Sequence, residues 1–209
     1  TIGVSAFEGC TNLATINIPN NVSLTTLSQN ILKSSGITSI TIPTNITTIG
    51  VSAFESCVSL ATVTFTATST VSSIGNSAFK GCNNASFNSI NIPDSVQTIG
   101  DTVFMECTNL STLTFDGTPI ITSLGTSVFQ SSGISTIVLP NTITSMGNAI
   151  FQGCTSLGAI NIPDNNTLVT IPESTLKNSG ITSITIPTKI TTIDNSSFSG
   201  CTQLETITF

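Results

Sequence analysis

Six cysteines and ten carboxylates are the side chains of this sequence best suited to covalent, metal-binding or acid–base chemistry, since it contains no His. The cysteines are Cys10, Cys57, Cys82, Cys107, Cys154 and Cys201, and each follows a Phe by three residues. An even number of thiols invites a disulfide framework. The spacing opposes it: one thiol per repeated copy makes a column. Where alternate copies lack Cys, neighbours lie two layers, roughly 9–10 Å, apart, beyond disulfide reach. Only Cys57, Cys82 and Cys107 fall in consecutive copies. Zinc would want His or a C-x-x-C pair, and neither occurs. A Cys nucleophile would lack its base. The thiols therefore read as small buried hydrophobes packed on the Phe column. Ser35, Ser132 and Ser179 hold the same place in alternate copies, which fits a niche limited by size.

The carboxylates offer no paired acid and base either. Glu8, Glu55 and Glu106 read as similar convex positions about two layers apart, too far for a tuned dyad. Asp164-Asn165-Asn166 reads as a turn, because the ligand spacing of a calcium loop does not continue. Lys33 and Lys177 read as single surface charges, and no Gly-rich phosphate loop is present. No catalytic residue, metal or cofactor follows from this inventory, and the chain reads as a non-enzyme.

What positions these residues is a repeat. The 209 residues include 38 Thr and 30 Ser, with 38% apolar and only 7% charged residues. That apolar fraction supports a real core rather than a disordered Ser/Thr tract. A net charge of −6 with four scattered Lys argues against nucleic acid or an anionic membrane as partner. No apolar run approaches the roughly 18 residues of a membrane span. Phe7, Leu32, Phe54, Phe79, Phe104, Phe129, Phe151, Leu176 and Phe198 anchor nine copies, spaced by 25, 22, 25, 25, 25, 22, 25 and 22 residues. Odd copies mostly read F-x-x-C-x-x-L-x-x-I-x-I/F, as in Phe7-Cys10-Leu13-Ile16-Ile18, and even ones S-G-I-x-x-I-x-I/L-P. The true unit is a pair of about 47 residues. The fourth copy, "GCNNASFNSINIP", carries a loop two residues longer.

Within a copy the apolar alternation predicts a short strand with one buried face. Pro19, Pro43, Pro93, Pro140, Pro163 and Pro187 close it, because Pro cannot donate to a ladder. A second apolar pair follows, such as Ile46 with Ile49, and then a turn with one helical turn carrying the anchor. So small a unit buries its apolar side only by stacking on neighbours at about 4.8 Å, the strand spacing of a sheet. The predicted fold is α/β: one solenoid over residues 1–209, with nine repeats of 22–25 residues. Short strands would form a parallel sheet on one face, with turns and short helical pieces on the other. No signal peptide is visible and the first residues already belong to a repeat, so the chain reads as a piece of a longer array.

The pattern L-x-x-I-x-I-P-x-x-I-x-x-I-G-x-x-A-F-x-x-C resembles the leucine-rich repeat of the BspA-like, or Treponema pallidum, type over the whole chain. The resemblance implies a cell-surface or secreted protein of a host-associated bacterium or a protozoan parasite. It also implies an adhesin-like role, with a protein or glycan on host matrix or neighbouring cells as partner.

Side chains flanking the central strand position point outward. They are Thr15 and Asn17, Ser39 and Thr41, Thr62 and Thr64, Ser89 and Asn91, Thr112 and Thr114, Thr136 with Val138, Ala159 with Asn161, Ser183 and Thr185, and Thr206 and Thr208. Three readings of this uncharged ladder stand open. Thr is a good exposed strand residue and needs no further reason. A repetitive surface could bind by avidity, without the Trp, Tyr and Arg of a tight epitope. Paired Thr columns also resemble the arrays of ice-binding solenoids, though Asn91, Val138 and Ala159 interrupt them. Neither end carries a polar capping repeat, which leaves stacking end to end into a filament as a structural alternative. Six sequons, at Asn21, Asn45, Asn84, Asn109, Asn165 and Asn195, match chance for 19 Asn in so Ser/Thr-rich a chain.

Overall fold

The computed structural model describes residues 1–21 and 23–209. Sixteen strands alternate short and long along the chain: β1 (Thr26–Leu27), β2 (Ser39–Ile42), β3 (Thr48–Ile49), β4 (Thr62–Phe65), β5 (Ser73–Ile74), β6 (Ser89–Ile92), β7 (Thr98–Ile99) and β8 (Thr112–Phe115). The second half repeats them as β9 (Ser123–Leu124), β10 (Thr136–Val138), β11 (Ser145–Met146), β12 (Ala159–Asn161), β13 (Thr170–Ile171), β14 (Ser183–Thr185), β15 (Thr192–Ile193) and β16 (Thr206–Thr208). Every pairing is parallel and joins equivalent residues of successive copies, such as Ile40 with Val63 and Ile90 with Leu113. The coil thus has two strand-lined walls. The long strands form one, in groups β2-β4, β6-β8-β10-β12 and β14-β16. The short strands form the other, in groups β1-β3-β5-β7-β9-β11 and β13-β15. The long-strand ladder first breaks between β4 and β6, where the fourth copy's longer loop turns on Asn84 and buries Phe87.

The third wall carries the anchors, and it corrects the predicted helical pieces. None of the described residues is helical, so the solenoid is built of strands and turns and is not α/β. The reason is backbone handedness. The residue two before each of the nine anchors has positive φ, from Ser5 (56°) to Ser196 (57°). So has the residue two after, from Gly9 (72°) to Gly200 (74°). Left-handed residues at that spacing stop a helix from propagating. They allow chained turns instead, in which the amide of Glu55 donates to Ser52 O and that of Cys57 to Phe54 O. Alternate amides then point along the solenoid axis. In the third copy Ser52, Phe54 and Ser56 donate to Asn76, Ala78 and Lys80 of the fourth at 2.7–2.8 Å. The same triple of bonds recurs between every successive pair of anchor turns. The predicted count of nine repeats also needs revision. Nine anchor turns are present, but each strand-lined wall has eight strands, giving a parallel solenoid of about eight turns.

Between the walls lies one continuous core of Ile, Leu, Val, Phe and Cys. Phe54, Phe79, Phe104, Phe129 and Phe151 stack in register, their ring centroids 5.1–5.7 Å apart and their planes within 6°. Each such contact contributes about 0.5–1.5 kcal/mol beyond the area it buries. Leu32 and Leu176 extend the column, while Phe7 and Phe198 in the outermost layers are half-buried.

The abundance of Ser and Thr finds its explanation at the corners. Where the chain bends, a hydroxyl donates to a main-chain carbonyl of the preceding layer: Thr47 to Thr25 O, Ser95 to Val71 O, Ser111 to Asn88 O and Thr142 to Ile121 O. Thr25 O and Asn88 O also accept main-chain amides of the next layer, so there the hydroxyl adds to bonds already made, whereas at Val71 O and Ile121 O the hydroxyl meets a part-buried acceptor. Sequon amides do similar work. Asn84 Nδ2 donates to Ser59 O and Asn165 Nδ2 to Asn141 O and Ile143 O.

Candidate binding face

The long strands place their central Ile, Leu or Val inward and the two flanking residues outward, through simple alternation. Thr15, Asn17, Ser39, Thr41, Thr62, Thr64, Ser89, Asn91, Thr112, Thr114, Thr136, Asn161, Ser183 and Thr185 are all exposed on this wall. Strand register aligns them: Thr41 opposes Thr64, Asn91 opposes Thr114, and Thr136 lies between Thr112 and Ala159. Thr15 and Asn17 belong to a segment without strand pairing, joined to the next layer through Thr38 N and Ala14 O. The wall is a row of hydroxyls and amides whose polar atoms, with one exception, bond to no other described residue. That exception is a small network in which Thr114 Oγ1 donates to Asn91 Oδ1 (2.8 Å) and Asn91 Nδ2 to Asp116 Oδ1 (2.5 Å). Contrast the corner hydroxyls, which are spent on the backbone.

The wall is less uniform than its repeat. Beside this network lies a depression of about 390 Å³ lined by β8, β10, Pro119 and Pro140. Val138, 73% exposed, stands at its edge, and a second depression continues past it toward Asn161 and Thr185. Sequence reading treated Val138 only as an interruption and passed over Asp116. The signal was present: Asp116 stands where Pro19, Pro43, Pro93, Pro140, Pro163 and Pro187 stand in six other copies. Also missed was a second column of hydroxyls on the short-strand wall, including Thr48, Ser73, Thr98 and Ser123, of which Thr98 donates to Ser73.

The cysteines are all free thiols. Cys57, Cys82, Cys107 and Cys154 are fully buried, whereas Cys10 is exposed and Cys201 half-buried. Their role is more specific than filling space. Each Sγ from Cys57 onward donates to the main-chain oxygen of the preceding anchor, as Cys107 does to Phe79 O (3.1 Å) and Cys154 to Phe129 O (2.9 Å). Cys82 and Cys57 do the same to Phe54 O and Leu32 O. Buried Ser35, Ser132 and Ser179 touch the next thiol at 3.4–3.6 Å. Burial raises the pKa of Cys57 and Cys82, and lifts Cys107 to about 12 and Cys154 to about 11. These four thiols are therefore protonated and inert at neutral pH.

Two charge assignments change. Lys33 is not a lone surface charge: its Nζ lies 3.1 Å from Glu55 Oε2. Burial raises the Glu55 carboxyl, but hydrogen bonds from Ser52 and Lys33 and the nearby Lys charges outweigh it, leaving the pKa lowered. Glu106 is not equivalent to Glu8 and Glu55, because it follows its anchor by two residues and takes positive φ (62°). Among the described residues no three ligating side chains gather as a metal site, and no helix is long and apolar enough to cross a membrane.

Comparison with known proteins agrees with this geometry. Sequence comparison with curated proteins finds no match. A leucine-rich-repeat protein of Bacteroides ovatus is 26% identical over 99% of this chain and 69% of its own, with a TM-score of 0.67. The T. pallidum leucine-rich-repeat protein is 25% identical over 80% of this chain and 78% of its own, with a TM-score of 0.70. The pneumococcal vaccine antigen PcpA shares the fold at 19% identity and a TM-score of 0.64, over 83% of this chain and 51% of that one. The family model of the BspA type leucine rich repeat region matches residues 1–88 and 72–205. With the repeat, the stacked anchors and these matches in agreement, the chain belongs to the BspA-type leucine-rich-repeat family.

Proposed function

We propose that this solenoid is a non-catalytic interaction module, displayed at the cell surface or outside the cell, whose long-strand wall binds protein or glycan on host matrix or neighbouring cells. One observation carries the reading. The hydroxyls at the corners are bound to the backbone, while those of the long-strand wall other than Thr114, among the described residues, are left for water or a partner. Aligned in register at strand spacing, they offer the same weak contact again and again, and avidity multiplies such contacts. The inert thiols and the lack of a paired acid and base leave the buried groups to stability. The extracellular setting comes from the family alone.

The test is a binding screen of the protein against immobilised matrix proteins and cell-surface glycans, repeated with Thr64→Lys together with Thr114→Lys. Both positions are exposed and lie two layers apart, with β6 between them, so the fold should tolerate the charges. Loss of at least tenfold in affinity for whatever is bound supports the long-strand wall. Unchanged binding moves the site to the turns.

A further inference from the structure

The two departures from the uniform long-strand wall stand side by side. Where six copies close their strand with Pro, the fifth continues through Asp116, whose amide still donates to Ile92 O in the ladder. Alternation after Thr112 and Thr114 turns the Asp116 side chain outward, and the bond from Asn91 Nδ2 fixes it there. Its second oxygen takes no hydrogen bond from the described residues. Gly117 (φ 46°) then turns the chain away, packed against the carboxylate of Asp94, so a second acid adjoins the first. In the next copy Val138 takes the outward place that Thr or Asn holds in the others, beside half-buried Phe115, Pro119 and Pro140. A carboxylate thus stands one residue beyond Phe115, at the end of a strand that lines an apolar depression, on a wall whose strands carry no charge. Lys33, Lys80 and Lys177 each follow an anchor directly, on the turn wall, and Lys189 stands past Pro187, three copies further on, so among the described residues none pairs with it.

We infer that the depression under Val138, with Asp116 next in the chain to its lining residue Phe115, is a subsite for a cationic side chain, Arg or Lys, of a polypeptide partner. A Lys or Arg combines an apolar stem with a charged head. The stem covers Val138, Phe115 and Pro119, and the head meets the open oxygen of Asp116 in a charge-assisted hydrogen bond. Asp94 adds to the attraction and to the rate of encounter. The inference rests on the long-strand wall being the binding surface, and it specifies which polypeptides would bind there.

The test is a 1H–15N correlation titration of the full 209-residue chain with acetyl-Leu-Arg-Leu-amide, with acetyl-Leu-Glu-Leu-amide as control. Expected are saturable shifts confined to Thr114–Gly117 and Ile137–Val138 with the Arg peptide. Asp116→Asn should weaken binding at least fivefold, as should 0.5 M salt, and Val138→Ser should weaken it without altering the salt dependence. Both side chains are exposed, so neither variant threatens the fold. Equal response to the Glu peptide, equal affinity in Asp116→Asn, or no saturable shift at all would overturn the inference. Shifts elsewhere along the wall, around Thr62–Thr64 for instance, would overturn it too while leaving the wall as the binding surface. Retention of matrix or glycan binding by the Thr64→Lys, Thr114→Lys protein would instead remove the wall itself.

Discussion

The anchor-turn wall and the long-strand wall are made from the same short repeat, yet they use it in opposite ways. On the turn wall the side chains point into the core. Five Phe rings stack, four buried thiols bind main-chain oxygens, and three amides per layer bond to the next layer. On the long-strand wall the backbone is satisfied by the ladder and the exposed hydroxyls are left over. The difference teaches that Ser and Thr content says little about function here. A hydroxyl at a corner is a structural part, and one at mid-strand is a surface.

The comparison breaks most readily at Phe104, in the middle of the ring column. Phe104→Ala should cost about 3–5 kcal/mol in chemical denaturation, in line with large core truncations. Because each layer touches only its neighbours, the transition should also broaden as the two halves uncouple. A cost below about 1 kcal/mol would mean the column is not what holds the turns.

Cys107 offers a sharper cut. Cys107→Val fills the niche but removes one of two donors to Phe79 O, the Cys82 amide being the other, which should cost about 0.5–1.5 kcal/mol. Cys107→Ser keeps the donor and should cost less, as the buried Ser35, Ser132 and Ser179 already imply. The reverse order in urea melts would return the thiols to mere space-filling. The alkaline limb of stability follows from the same burial. With Cys107 raised to about 12 and Cys154 to about 11 from an ordinary 9.0, their thiols ionise first in the unfolded chain. Stability is then undiminished below pH 9 and falls from there toward 12, by up to about 1.4 kcal/mol per pH unit for each thiol. Denaturation midpoints that stay flat over that range would contradict it.

The smallest effect concerns two threonines. Thr142→Val removes a 2.6 Å bond to Ile121 O at a corner and should cost about 1 kcal/mol. Thr41→Val on the long-strand wall removes no bond to a described residue and should stay within about 0.5 kcal/mol of the parent. Equal losses at the two sites, measured by thermal melts, would erase the distinction between corner and surface.

Much of this was legible in the sequence. The spacing of the anchors from Phe7 to Phe198 predicts the stacking, and the alternation at Ile16-Ile18 or Ile40-Ile42 predicts which wall faces out. The predicted helical turn fails because short apolar periodicity does not reveal φ. Nothing in Ser52 or Glu106 announces a left-handed backbone, although the Gly at positions 9, 81, 153 and 200 was a clue to it. The Lys33–Glu55 pair escaped notice because it joins successive copies at a wall whose side-chain directions depend on those same angles. On the long-strand wall the sequence marks Asp116 and Val138 as exceptions, but only the register shows that the strand Asp116 follows pairs with the strand that carries Val138.

The triple of amides linking anchor turns always runs from the earlier copy to the later. Peptide dipoles aligned in this way add along the solenoid, as they do along a helix. Any plane drawn between two layers through that wall has donors on one side and acceptors on the other. Two such surfaces match in a single sense, head to tail, and a twofold-symmetric pairing would set like against like. The stack carries a direction, written into its main chain.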